Sequence, residues 1–298
     1  MIKRTIDISE SAYLHLKNQQ FCIDKQGALV AQIPIEDLGV VILQNPAIVM
    51  TQALMVACQK NNVAVVFCDE RHIPYSVLLP LSEGNTLHSK ILQQQINITL
   101  PTKKRLWQRI VQHKINAQAQ TLKNINQSAV LLERLATQVK PGDPDNLEAQ
   151  AAQAYWKLLF GQNFKRDSDL AGINSILNYG YSIMRAMVAR AIVSGGLHPT
   201  IGLNHHNQYN GLCLADDLME PFRPWVDFEV YQMAENTADL QVNKDTKVVL
   251  LNLLSKNVLW EQQEMPLMVA THYLVASLKR VYEDKTFVLS YPKQLKLS

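Results

Sequence analysis

The hydrophobic period of this chain changes once, near residue 85, and that change sets the order of its parts. Before it, short apolar runs recur, several of them alternating with period two: Thr5-Ile6-Asp7-Ile8, Tyr13-Leu14-His15-Leu16, Gln20-Phe21-Cys22-Ile23, Ala28-Leu29-Val30, Val40-Val41-Ile42-Leu43 and Val63-Ala64-Val65-Val66-Phe67. Turn residues separate these strands, and one helix is expected at 51–60. After residue 85 the apolar residues recur at helical spacing. Helices are expected over 86–98, 102–139, 144–160, 169–194, 217–235, 247–260 and 266–282. The predicted fold class is α+β: an N-terminal β-sandwich-like domain over 1–84 and a larger all-α domain over 85–298. The boundary falls in Leu81-Ser82-Glu83-Gly84-Asn85. A length of 298 residues suits two cores of this kind.

Charge is distributed as unevenly as periodicity. The net is +3 overall, yet residues 1–84 carry −2, residues 85–140 carry +8 and residues 141–298 carry −3. In the middle segment Lys90, Lys103, Lys104, Arg105, Arg109, Lys114, Lys123, Arg134 and Lys140 face one acid, Glu133. A face built only for solubility mixes its signs, so this excess points to a polyanion partner. A solvated helix face is the plainer alternative. The four cysteines, Cys22, Cys58, Cys68 and Cys213, form no close pair, which argues against a zinc ribbon or a disulfide scaffold. No signal peptide and no membrane span is expected, and the chain reads as cytoplasmic.

Three acidic or imidazole clusters stand out. Glu148 lies in the first turn of the helix announced by Asp143-Pro144, on the apolar side of its wheel, where a carboxylate is costly without a partner. Its blander reading is a charge on the helix dipole. In Asn204-His205-His206-Asn207 at most one imidazole is expected to ligate, because adjacent side chains diverge. Asp216, Asp217 and Glu220 crowd three carboxylates into five positions ahead of Arg223, and Asp217 and Glu220 share a helical face. Capping by Asp216 or Asp217 is the simpler account. Two carboxylates and one imidazole would suit Mg²⁺ or Mn²⁺ better than zinc. On the helix at 169–194, Asn174, Asn178, Tyr181 and Arg185 form one stripe suited to phosphate contact, or to solvent.

The long motifs are more specific. LEAQAAQAYWKLLFGQNFKRD, INSILNYGYSIMRAMVARAIVSGGLHPTIGLNHHN and LADDLMEPFRPWVD, with IPIEDLGVVIL and VAVVFCDERHIPYSVLLPL before them, closely resemble the CRISPR-associated adaptation integrase family. LNYGY and ADDLMEPFRP resemble its type II branch. The resemblance implies a β-sandwich that dimerises and a helical catalytic domain. It implies a Mg²⁺ or Mn²⁺ site of Glu148, His205 and Glu220, with Asp217 in support. His206 stands where the family pattern requires no histidine. The implied reaction is insertion of foreign DNA fragments as new spacers into a CRISPR array, by 3′-hydroxyl attack on a phosphodiester at a repeat edge. Arg166, Asn174, Asn178, Tyr181, Arg185 and Arg223 are then candidate DNA contacts. Implied partners are double-stranded DNA, a second copy of the chain, a small CRISPR-associated adaptor protein and the RNA-guided effector nuclease. Two other classes stay open on the residues alone: a non-catalytic DNA scaffold, and a metal hydrolase of small phosphoesters.

Overall fold

The computed structural model describes residues 3–70, 74–80, 87–237 and 240–294, so the expected boundary at 81–85 lies outside the described residues. The N-terminal part contains β1 (Arg4–Ile8), β2 (Tyr13–Lys17), β3 (Gln20–Lys25), β4 (Ala28–Pro34), β5 (Leu38–Leu43), β6 (Val49–Met50), α1 (Gln52–Lys60), β7 (Ala64–Cys68) and β8 (Pro74–Leu78). These strands make two four-stranded sheets, in the orders β1-β5-β7-β8 and β4-β3-β2-β6. β5 runs parallel to both β1 and β7, and β8 closes the edge antiparallel to β7.

All six residues of β5 are buried, as expected of a strand covered on both faces. Its alternation divides them between two cores. Val41 and Leu43 join Leu14, Phe21 and Val65 between the sheets. Val40 and Ile42, with Ala64 and Val66, face the other way and merge into the helical core. The first sheet is therefore a middle layer, and the sandwich has no wet outer face where the helices dock.

The rest of the chain is mostly helical: α2 (His88–Ile96), α3 (Leu100–Asn124), α4 (Val130–Gln138), α5 (Leu147–Phe160), α6 (Ile173–Ser194), α7 (Cys213–Met219), α8 (Arg223–Asn236), α9 (Lys244–Leu253) and α10 (Leu267–Glu283). Sixteen of the 22 residues of α6 are buried, so it is the central post of the domain. Gly180 lets α8 and α9 close on it: a Cβ there would meet Val226 Cγ1 at 2.4 Å. None of the described helices is long and apolar enough to cross a membrane.

Several expectations shift. The helix expected over 217–235 is two, α7 and α8, joined through a 3-10 turn at Glu220–Phe222 that carries Pro221. The helix expected over 102–139 breaks at Ile125–Ala129, where Asn126 takes a left-handed φ of 58°. The helix expected over 247–260 ends at Leu253, and Asn257–Trp260 is instead a strand, β9. It pairs with β10 (Gln263–Pro266) and β11 (Lys293–Gln294), so the C-terminal domain is not purely α. Glu261, at φ 55°, makes the turn, and Val258 and Trp260 bury on one face of the strand. Finally, α5 starts at Leu147, beyond Pro144. Asp143 still satisfies its first turn, accepting from the backbone N–H of Leu147 (2.9 Å) and of Glu148 (3.0 Å).

Candidate metal and phosphate site

Glu148 needs a partner because it faces the apolar side of α5, and α3 supplies one. Lys114 Nζ stands 2.6 Å from Glu148 Oε1 and 2.6 Å from Glu220 Oε2. Two carboxylates 72 positions apart in the chain thus share one ammonium, whose side chain is 14% exposed. Arg223 Nε donates to the other oxygen of Glu220 at 2.8 Å. The Lys114 ammonium lies close to Glu220 Oε2 but off the hydrogen-bonding direction, so this buried oxygen has charge compensation and no directed bond.

Burial alone would push the Glu220 carboxyl up. Arg223 and Lys114 more than reverse that and hold it down at about 2. By the same balance, burial works against the charged Lys114 and Arg223, and their carboxylate neighbours hold both pKa values above the usual range.

His205 is positioned from below. Asp217, fully buried on α7, accepts from the backbone N–H groups of Leu203 (2.6 Å), Asn204 (3.1 Å) and His205 (3.2 Å), and from His205 Nδ1 (2.6 Å). A loop of three successive N–H groups is folded around one carboxylate. Gly202 permits the wrap, since a Cβ there would lie 2.5 Å from the His205 carbonyl oxygen and 2.9 Å from Asp217 Oδ2. With Nδ1–H donated to Asp217, the lone pair of neutral His205 is on Nε2. Trp107 sets its edge against the ring at 5.8 Å. The bond to Asp217 is the largest influence on His205 and raises its pKa over the opposing effect of burial; Glu220 is among the charges that add to it.

Asp216 turns away from this pair. It takes a two-pronged bond from Arg185 (2.6 and 2.8 Å), and Asn210 bonds to both. Arg185, Asn174 and Asn178 thus brace the protein itself. Asn174 and Asn178 accept from Arg166 at 2.9 and 2.6 Å and hold the loop before α6. Tyr181 is buried; its hydroxyl donates to Asp227, as does that of Tyr155 (3.0 Å). The guanidinium of Arg223 lies 4.6 Å from the Tyr181 ring centroid and that of Arg166 lies 5.4 Å from it. A cleft of about 270 Å³ opens between these groups, lined by Lys114, Gln118, Arg166, Tyr181, Glu220 and Arg223 among others. At roughly 30 Å³ per water, it admits a group of phosphate size with its hydration.

Sequence reasoning missed Lys114, one of nine basic residues in its segment, and the Tyr155–Asp227–Tyr181 cluster beneath the cleft. Burial pushes Asp227 up to about 7, against the two hydroxyl bonds and the nearby arginines. The native state therefore keeps a proton that the unfolded chain releases near pH 4. Its stabilising contribution is full below that range and is lost as pH rises through about 7, amounting to a few kcal/mol. Asp227→Asn is expected to remove this slope: urea midpoints at pH 5 and pH 8 should differ less in the variant than in the parent. Equal slopes would contradict a protonated Asp227.

The family model described as CRISPR associated protein Cas1 matches residues 8–263. The chain belongs to the Cas1 family. A CRISPR-associated endonuclease Cas1 of Neisseria meningitidis serogroup C (strain 8013) is 34% identical over 300 residues, covering 100% of this chain and 96% of the relative. Among solved structures, a casposase bound to integration product superposes with a TM-score of 0.74 at 20% identity, over 96% of this chain and 91% of that one. A Cas6-RT-Cas1–Cas2 complex gives 0.76 at 18% identity, over 99% of this chain and 36% of that one. These two share the Cas1 fold.

A Cas1 family member is expected to use a divalent metal, and the residues fit one in part. Two carboxylates meet at a stand-in cation, and one of their oxygens is buried without a directed bond. The donors are hard, as Mg²⁺ or Mn²⁺ requires. Among the described residues, however, no three His, Cys, Asp or Glu side chains stand close enough to hold an ion as arranged here.

Proposed function

We propose that this chain is a divalent-metal-dependent DNA integrase and endonuclease that inserts foreign DNA fragments as new spacers into a CRISPR array. The observation that carries this is the convergence of Glu148 and Glu220 on the Lys114 ammonium, with Lys114 and Glu220 lining the same cleft as Arg166 and Arg223. Glu148, Glu220 and His205 Nε2 would hold Mg²⁺ or Mn²⁺. Bound there, the ion supplies Lewis-acid polarisation of the attacked phosphodiester and charge for the departing oxygen.

The remaining work falls to the side chains. Asp217 fixes the tautomer and place of His205. Arg223 and Arg166 face the negative charge that builds on phosphorus, and Asn174, Asn178 and Tyr181 hold those guanidinium groups in position. Arg185 fixes the turn that follows His205. The 3′-oxygen of the fragment forms a bond to phosphorus and gives its proton to water, while the bond from phosphorus to the 3′-oxygen of the target strand breaks and that oxygen takes a proton from water to leave as a hydroxyl. No covalent enzyme intermediate is needed, and alignment of hydroxyl and phosphate is the main demand on the protein.

The partners follow the family. The relative's name as an endonuclease, the casposase held with its integration product and the Cas1–Cas2 assembly support DNA and a small Cas2-type adaptor. We assign dimerisation to the N-terminal β domain, the RNA-guided effector nuclease to fragment choice, and the cytoplasm as location, in keeping with four free cysteines.

The test uses the purified chain, the adaptor, a labelled fragment and a repeat-bearing target. Joined product is expected with Mn²⁺ or Mg²⁺ and not with EDTA. DNA binding without joining under every metal would instead make the chain a scaffold. Cleavage of a model phosphoester with no action on DNA would make it a small-molecule hydrolase.

A further inference from the structure

Lys114 sits where the proposed site would place its ion. Its ammonium contacts Glu148 and Glu220 at 2.6 Å each, and Arg223 completes the set, so two positive charges balance two negative ones. A divalent ion entering that set adds two charges and takes over both carboxylates. The ammonium then has to leave, because like charges that close in a buried place repel strongly. A second seat is available. Gln118 lies one helical turn further along α3, on the face that Lys114 shares, and lines the same cleft. It is 2% exposed, and its Oε1 is buried with no hydrogen-bond partner. A buried carbonyl oxygen without a donor is costly, and an ammonium arriving from the preceding turn would satisfy it.

We propose that Lys114 is a two-position side chain, holding Glu148 and Glu220 together in the metal-free protein and moving to Gln118 and the cleft when a divalent cation takes the carboxylates. This rests on the metal-site reading above. Two consequences follow. Lys114 competes with the metal, so it weakens ion binding while keeping the empty site folded. Once displaced, its ammonium joins Arg166 and Arg223 around the cleft, so a filled site carries surplus positive charge and draws a DNA phosphate. Metal and DNA therefore bind cooperatively.

Calorimetric titration of the full chain with Mn²⁺, on the parent, Lys114→Met and Gln118→Met, tests the exchange. Lys114→Met is expected to melt lower than the parent without metal, to bind Mn²⁺ about tenfold tighter, and to regain its melting temperature with the ion. Gln118→Met, which removes only the second seat, is expected to bind Mn²⁺ several-fold more weakly with no loss of metal-free stability. Mn²⁺ affinity unchanged or weakened in Lys114→Met overturns the proposal. Should that variant fail to fold, ¹³C-methylated lysines in the parent give the same answer. The Lys114 resonance is expected to move with Mg²⁺ and return with EDTA, and a resonance fixed at saturating Mg²⁺ overturns the exchange. If neither parent nor variants bind a divalent ion, the metal-site reading itself fails and Lys114 is a permanent counter-ion.

Discussion

Asp217→Ala is expected to lower the melting temperature by roughly 4–6 °C and to reduce metal-dependent joining by about ten- to a hundredfold. The carboxylate accepts three consecutive backbone N–H groups and the imidazole of His205 while fully buried. Hydrogen bonds to a charged group contribute about 1.5–3 kcal/mol each, and donors left unpaired add their own cost. The loop can swing out to water and recover part of that, which leaves a loss of about 3 kcal/mol and sets the expected melting shift for a protein of this size. The effect on joining has a different origin. Without Asp217, His205 loses both its place and the bond that keeps its lone pair on Nε2. Scanning calorimetry and the joining assay check the two halves separately. A variant that melts within 2 °C of the parent would mean that the loop has another anchor.

Glu220→Gln removes the charge that two cations share, and joining should fall to the background of the metal-free protein. Glu220 also carries a pH signature. Its carboxyl is held at about 2, below its ordinary value of 4.5, with Arg223 and Lys114 overcoming burial. A depressed carboxylate stabilises the fold above its unfolded pKa, and that contribution is lost as pH falls from about 4.5 through about 2. Its size is about 3 kcal/mol. The parent should therefore lose stability on acidification over that range more steeply than Glu220→Gln, as read from urea midpoints at pH 5 and pH 3. Parallel acid limbs would place the glutamate outside the ion-pair set.

Much of the frame was legible in the residues because it is local. The change from period two to helical period is a property of neighbours in sequence, and the structure keeps it. The unbroken apolar run Val40-Val41-Ile42-Leu43 fits a strand covered on both faces, and the structure divides it between two cores. Asp143 is a capping signal at short range, and it satisfies the first turn of α5, although it stands four residues ahead of Leu147 rather than beside it. The apolar side of α5 predicted that Glu148 needs a partner, but not which one. Lys114 is 34 residues away, and no local pattern sets it apart from Lys103 or Lys123. Asp227 belongs to the same class: only the meeting of α5, α6 and α8 shows that two tyrosine hydroxyls converge on it. The strand at Asn257–Trp260 was hidden for a related reason. Its apolar spacing suits a helix or a strand, and its partners β10 and β11 decide the matter.

The central claim is that Glu148, His205 and Glu220 close around one divalent cation facing the cleft. A crystal of the full chain soaked in Mn²⁺, with anomalous differences recorded at the manganese edge, tests it most directly. One peak is expected within about 2.5 Å of an oxygen of each glutamate and of His205 Nε2, with the Lys114 ammonium displaced from between the carboxylates. A peak elsewhere, or none beside an unmoved Lys114, would contradict it.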